Sequence, residues 1–569
     1  MSSRNPEPDD PAVAGAVAGV DGGNNNINNH NGGKQPCVLI ASHVLMGHLA
    51  PMLRIARALR SRWGWRVFFL GPTAERTRIE ASGATFLPLL GAADIDGRAY
   101  YESPPVEGYA ALPWHERVLV DLESQCFDTI PDQWSSLLNA LRTIRRREPE
   151  RRVLVLAEAF FHGVLPLRYG APLPPDLAEQ EGQEGEEGEE RARPRSICVS
   201  VTIPAIRSRD LPPLGYPFPF DTSAEGRARN ARLWERSWMR RTERLATVLL
   251  ERLRKAGVPR AVDLPPPDLQ PLFAGVNYLC HERVLQLGVP GFEYPRTDWP
   301  PGFRFAGLVQ GPPNAVNATG EAGDATSAVA AQKQRDPDPD FPWWSELMAN
   351  SALDRDDPRR KKVVVVTQGT VEINPEDLIL PTIRAFTPSD STSDPSPASA
   401  PASSSPRLDP AKVLVVAILG WKDSRLPAAL ARPPVNVRVA DYLTYDAALS
   451  HADAWVHNGG FGAVCHGLAH GVPQVVAGEG MDKGENAARV ARSGCGVDLR
   501  TGRPGPDAVA RAGADVLLPS EPDGRFPFVE SAARLRAECE GLDAFRVVHE
   551  ELCRLAGNDV EFAGIERNS

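Results

Sequence analysis

No cysteine of this chain stands in a CxxC pair. The eight, at positions 37, 126, 198, 280, 465, 495, 539 and 553, are scattered. That spacing suits neither a structural zinc site nor a disulfide framework, so a reducing compartment is the simpler expectation. Long apolar runs are missing too: none approaches the roughly 18 residues that a membrane-spanning helix requires. The stretch "AVAGAVAGV" from Ala12 follows "PEPDD" rather than cationic residues, which argues against a signal peptide and for a cytoplasmic location. Basic residues are not in excess, since 63 Lys and Arg face 73 Asp and Glu for a net charge of −10. A nucleic-acid partner is therefore not expected. No G-x-G-x-x-G follows the first apolar run, which disfavours a nicotinamide site.

What is present is an ordinary globular composition, 42% hydrophobic and 24% charged, in 569 residues, too many for one core. Residues 1–35 are Asn/Gly-rich and read as a disordered tail. Three segments read as inserts that loop out of a scaffold: an acidic run at about 175–195, residues 311–340 with linker composition, and a Ser/Pro-rich stretch at about 388–406. Between them the chain alternates apolar strands with helical patterns. "CVLIA" at 37–41 is followed by a helix with Pro51 in its first turn, then by "WRVFFLG". Later, "KVVVVTQGT", "KVLVVAILG", "ADAWVH" and "PQVVAG" read as buried strands, with a helix over 485–492. This is an α/β pattern of parallel sheets covered by helices, in two domains (36–310 and 341–569) that face a cleft.

The chemistry lies at strand ends. "HNGGFGAVCHGLAHGVPQVV" at 457–476 places Asn458, Gly459, Gly460 and Gly462 after a strand and before a helix starting near Ala463. Glycines clear the way for a large anion, and free N–H groups at a helix start attract one; the loop lacks the P-loop lysine. An Asn-Gly turn would use the same residues. Gly369 and Thr370 close the "VVVV" strand, where a ligand or a plain turn would account for them equally. Asp482 and Lys483 occupy a strand-to-helix corner as a pair suited to sugar hydroxyls, or as a helix cap beside a surface lysine. In the first half, His48 lies in the loop after the first strand, just before the helix, where an imidazole can serve as a general base, with His43 as its competitor. Glu158 ends an apolar strand and needs a partner, either the far nitrogen of His48 or an unrelated arginine. Phe160 and Phe161 beside it suit an apolar ligand, or simply the core.

Together "GHLAP", "VTQGT" and "NGGFG…GLAHGVPQVVAGEGMDKGENAARV…GCGVDL", in this order and spacing, resemble the family 1 glycosyltransferases that use nucleotide-diphosphate sugars. The nearest look is that of fungal and bacterial members acting on small lipophilic acceptors. The resemblance spans most of residues 36–555. It implies a GT-B fold of two Rossmann-like doubly wound domains, acceptor-binding at 36–310 and donor-binding at 341–569. The last helices have the option of packing back on the first domain.

It also implies inverting transfer, most simply of glucose from UDP-glucose as co-substrate, with no metal and no further cofactor. No oligomeric state is implied. By position, His48 matches the catalytic base and Glu158 its orienting carboxylate. Thr370 matches a diphosphate contact, Tyr442 the residue stacked on uracil, and Asp482 and Lys483 the sugar-holding pair. Asn458 stands where many members have histidine, Ala463 where they have Ser or Thr, and His466 where a Glu or Gln meets the ribose. An epimerase or hydrolase on the same fold, or a nucleotide-sugar-binding regulator without turnover, would carry many of the same residues.

Overall fold

The computed structural model describes residues 34–104, 106–178, 193–216, 218–259, 275–310, 341–369, 372, 374–387, 408–422, 424–427, 432–520 and 524–557. Thr370, residues 1–33 of the tail, most of the acidic insert, the 311–340 linker and the Ser/Pro-rich stretch lie outside these residues.

Seven parallel strands build the first sheet: β1 (Cys37–Ala41), β2 (Arg66–Gly71), β3 (Thr85–Pro88), β4 (Val153–Glu158), β5 (Arg195–Ser200), β6 (Arg283–Leu287) and β7 (Phe303–Gly307). Their order is β3-β2-β1-β4-β5-β6-β7. Six more, β8 (Lys362–Thr367), β9 (Val413–Ile418), β10 (Val437–Ala440), β11 (Ala454–His457), β12 (Gln474–Val476) and β13 (Gly496–Asp498), form the second, in the order β10-β9-β8-β11-β12-β13. Both are doubly wound. The strand order reverses between β1 and β4 in one sheet and between β8 and β11 in the other, and ligand crevices open beyond the carboxyl ends at such points. His48, Gly369 and Asn458 follow three of those strand ends, and Glu158 is the last residue of the fourth.

Strands covered by helices on both faces must be apolar on both, which is why they read as continuous runs. Cys37, Leu39 and Ala41 of β1 pack with helix α2 (Ile130–Arg147) on one face. Val38 and Ile40 pack with helix α1 (Met46–Trp63) on the other, as the two-residue side-chain period requires. The second sheet is flanked by α3 (Phe461–His470) and α4 (Lys483–Ser493). Helix α5 (Ala544–Leu555) returns to the first sheet, where Val547, Val548 and Leu552 join the cluster of Leu49, Met52 and Ile55. The Trp65 indole N–H donates to His549 Nδ1 at 3.0 Å on that contact. All eight cysteines are free, and no helix among the described residues is long and apolar enough to cross a membrane.

Two boundaries differ from expectation. Helix α1 begins at Met46, so Pro51 sits in its second turn and His48 is the third helical residue, not a loop residue ahead of it. Leu45 caps the helix in an extended conformation, and its carbonyl accepts from the amides of His48 and Leu49. Proline is tolerated there because only one i→i−4 hydrogen bond, to Gly47, is lost. Helix α3 likewise starts at Phe461, two residues before the expected Ala463.

Candidate active site

At the first switch point, the Glu158 carboxylate is 1% exposed and meets His48 Nδ1 at 2.9 Å through Oε1. Its Oε2 accepts the His43 amide at 3.4 Å. The bond thus joins Glu158 to the histidine and not to an arginine, and it uses Nδ1, so Nε2 is the ring nitrogen that the pair leaves over on a side chain 17% exposed. The competitor is engaged elsewhere: His43 Nδ1 accepts the Leu45 amide at 3.3 Å, its ring is buried, and burial pushes its pKa well down. Burial also presses on His48, but the Glu158 charge and hydrogen bond, with the Asp482 charge from the second domain, outweigh it and raise the pKa above 6.5. Phe160 stands edge-on to His48 at 5.1 Å and lines a small cavity with Leu122, Phe127, Leu249 and His162. Phe161, expected on the acceptor side, is instead core: it is 2% exposed and packed among residues such as Leu137 and Val164.

Across the cleft, the glycine stretch divides its tasks. Gly459 has φ 83°, and a Cβ there would stand 3.0 Å from the Lys483 carbonyl, so this glycine serves packing. At Gly462 a Cβ would meet nothing within 4 Å, so the backbone is open to a ligand. The first intrahelical bond of α3 runs from Val464 N to Gly460 O. The amides of Phe461, Gly462 and Ala463 are thus the outward donors of the first turn. The Ala463 methyl is buried in the core, and its carbonyl accepts the Trp455 indole N–H. Gly369, at φ 75°, lies against Gly420, where a Cβ would be 2.5 Å from the Gly369 carbonyl.

The polar residues are tied more tightly than the sequence suggests. Asn458 Nδ2 donates to the Gln368 carbonyl and to Glu372 Oε2 at 3.1 Å, so both amide hydrogens are engaged. Lys483 Nζ pairs with Glu372 Oε1 and not with Asp482. Asp482 instead accepts from Asn486 Nδ2 at 3.1 Å, and burial raises its pKa. Glu372 thus bridges two candidate donor-site residues, and no sequence motif marks it. Buried His457 bonds Gln474 at 2.9 Å and accepts the Gly459 amide, holding the loop from behind.

His466 Nδ1 lies 2.7 Å from Asp446 Oδ1, which also faces His470 Nε2 at 3.0 Å. Arg54, from α1 of the first domain, donates to Asp446 Oδ2 at 3.0 Å. Burial alone would raise the Asp446 pKa, but the hydrogen bonds from the two histidines and the nearby charges hold it far below the carboxylate range. Among the described residues these three side chains form the one grouping of metal-ligand type. The i, i+4 spacing of the two histidines on a helix was the available signal for it. Tyr442 is 56% exposed, a bare aromatic ring at the rim after β10.

A family profile described as "Erythromycin biosynthesis protein CIII-like, C-terminal domain" matches residues 413–542. The chain is 30% identical over 516 residues to UDP-glucosyltransferase 1 of Beauveria bassiana (strain ARSEF 2860), covering 90% of this chain and 94% of that one. It is 32% identical over 515 residues to 4'-demethylrebeccamycin synthase of Lentzea aerocolonigenes, covering 89% and 96%. Among solved structures, the glycotransferase of kitacinnamycin superposes with a TM-score of 0.54 at 19% identity, over 92% of this chain and 99% of that one, a likeness of fold.

Proposed function

The chain belongs to the family 1 glycosyltransferases, and from that premise we propose how its cleft works. It transfers a sugar from a UDP-sugar, with glucose the sugar that the relatives' names support, to a hydroxyl of a small lipophilic acceptor. His48 Nε2 removes the acceptor hydroxyl proton. The acceptor oxygen forms its bond to the anomeric carbon as the bond to the diphosphate breaks on the opposite face, so the configuration inverts. Glu158 holds the ring and offsets the imidazolium charge, after which the proton passes to solvent. The α3 amides at 461–463 and the positive end of that helix offset the charge growing on UDP, which leaves no step that needs a metal. Thr370 belongs to the same diphosphate contact, Tyr442 to the base, His466 to the ribose, and Asp482 to the sugar.

The observation that carries this reading is the 2.9 Å contact of His48 Nδ1 with Glu158, set at one switch point and within reach of the Asp482 charge from the other domain. The test is UDP release from UDP-glucose with and without pooled phenolic, sterol and lipid alcohols. Release that depends on acceptor supports transfer. Release without acceptor would mean a hydrolase or epimerase, and tight UDP binding without release a non-catalytic regulator.

A base must be neutral to accept a proton. The acid limb of kcat/KM should therefore fall above pH 6.5, where His48 loses activity as the pH drops through its raised pKa. Glu158→Gln removes the charge that raises it, so the limb should move to lower pH while kcat drops roughly tenfold to a hundredfold. An unmoved limb would detach the pH profile from this pair.

Glu372 places a carboxylate beside the expected diphosphate, on Asn458 and Lys483. Glu372→Gln is expected to lower the KM for UDP-sugar by about twofold to fivefold, the scale of a partly exposed charge pair. Initial rates at fixed acceptor measure it.

A further inference from the structure

We infer that Asp446, His466 and His470 form a binding site for a divalent cation of the zinc class, separate from the chemistry of transfer. His466 and His470 stand one turn apart on the same face of α3, and Asp446 comes from the short helix Tyr445–Leu449 packed against it. The three ligand atoms are His466 Nδ1, His470 Nε2 and Asp446 Oδ1, and all lie within 4.8 Å of one another. The carboxylate oxygen is 2.7 Å from one nitrogen and 3.0 Å from the other. Tetrahedral ligands bonded at about 2.0–2.1 Å stand about 3.3 Å apart, so the carboxylate oxygen has to part from each nitrogen by only a few tenths of an ångström, while the two nitrogens already lie within 4.8 Å of one another. It takes the place of the ring protons that now point at Asp446, and each ring then carries its proton on its other nitrogen.

Two imidazoles and one carboxylate are the ligand set of open zinc sites, with solvent as the fourth ligand. An orienting shell is also present. Arg54 donates to the second carboxylate oxygen at 3.0 Å and to the Val309 carbonyl at 3.0 Å, which fixes Oδ1 toward the rings. Tyr445 stands edge-on to His466 at 5.3 Å and limits its rotation. The Arg54 charge weakens the site and sets it below a dedicated structural centre. Side-chain exposures of 14% for His466 and 23% for Asp446 leave a path for the ion.

Resting on the proposed donor site, where His466 meets the ribose, the ion and UDP should exclude one another. The test uses the full-length protein, treated with chelator and titrated with Co2+ without nucleotide, followed by visible d–d absorption and calorimetry. One ion per chain, bound at micromolar concentration or tighter, is the expected result. His470→Asn keeps a side-chain donor for Asp446 but offers no imidazole, and should weaken binding about a hundredfold with an unchanged melting temperature. Equal binding by wild type and His470→Asn, or binding only at millimolar Co2+, would overturn the site. If Co2+ binds as expected but UDP does not displace it, the metal site stands and the ribose role of His466 falls. Conversely, UDP binding without any Co2+ uptake leaves the donor reading intact and removes the metal.

Discussion

Replacing His48 by glutamine is expected to cut acceptor-dependent UDP release by roughly a hundredfold to ten-thousandfold, the range of a positioned general base. The affinity for UDP should stay unchanged. Glutamine is the informative variant because its amide still donates to the buried Glu158, while it cannot take a proton at any working pH. Alanine would remove the base and also strip Glu158 of its closest partner, leaving only the His43 amide at 3.4 Å. Its loss of activity would then mix with a loss of stability, since a buried carboxylate without a donor is costly. Initial rates with a saturating acceptor, beside calorimetry with UDP, separate the two. Full activity in His48→Gln would refute the assignment of the base, and lost UDP binding would relocate His48 to the donor site.

The second large effect is on stability. Arg489 of α4 is 2% exposed and pairs with Glu293, from the segment after β6, at 2.9 Å and with Glu485 at 3.0 Å. The Tyr294 ring covers its guanidinium at 4.7 Å. Glu293 is itself 5% exposed, so the pair that joins the domains is out of water. Arg489→Met leaves Glu293 without its partner and should destabilise the interface by about 3–5 kcal/mol. Arg489→Met combined with Glu293→Leu should recover most of that, because the buried Glu293 charge goes with its partner, while Glu485, 23% exposed, keeps contact with solvent. Calorimetric melting of the two variants, read for the transition that separates the domains, measures both. A single variant that melts like wild type would show that the pair is screened in solution.

Much of the fold was legible because parallel strands buried on both faces leave unbroken apolar runs, as in "CVLIA" and "VVVV". The carboxyl ends of those runs then located the site. Where reading failed, the deciding contact was distant in sequence or was a matter of one rotation. Pro51 resembles a helix start and so puts His48 ahead of the helix, whereas the extended Leu45 is the actual cap. Phe160 and Phe161 are indistinguishable as letters, yet one turns to the cavity and the other to the core. Glu372 binds Asn458 across 86 positions, and Arg54 reaches Asp446 across 392, so no local pattern could announce either. The i, i+4 histidines of "HGLAH" were readable, but their carboxylate was not.

The return of α5 to the first sheet has a consequence for how the molecule is made. The apolar face formed by Leu49, Met52 and Ile55 is completed by Val547, Val548 and Leu552, which leave the ribosome only after the whole second sheet. At about 5–20 residues per second, that face waits on the order of tens of seconds for its cover. The domain translated first is thus among the last parts to finish folding, and during that interval its bare helix is a natural client for a chaperone.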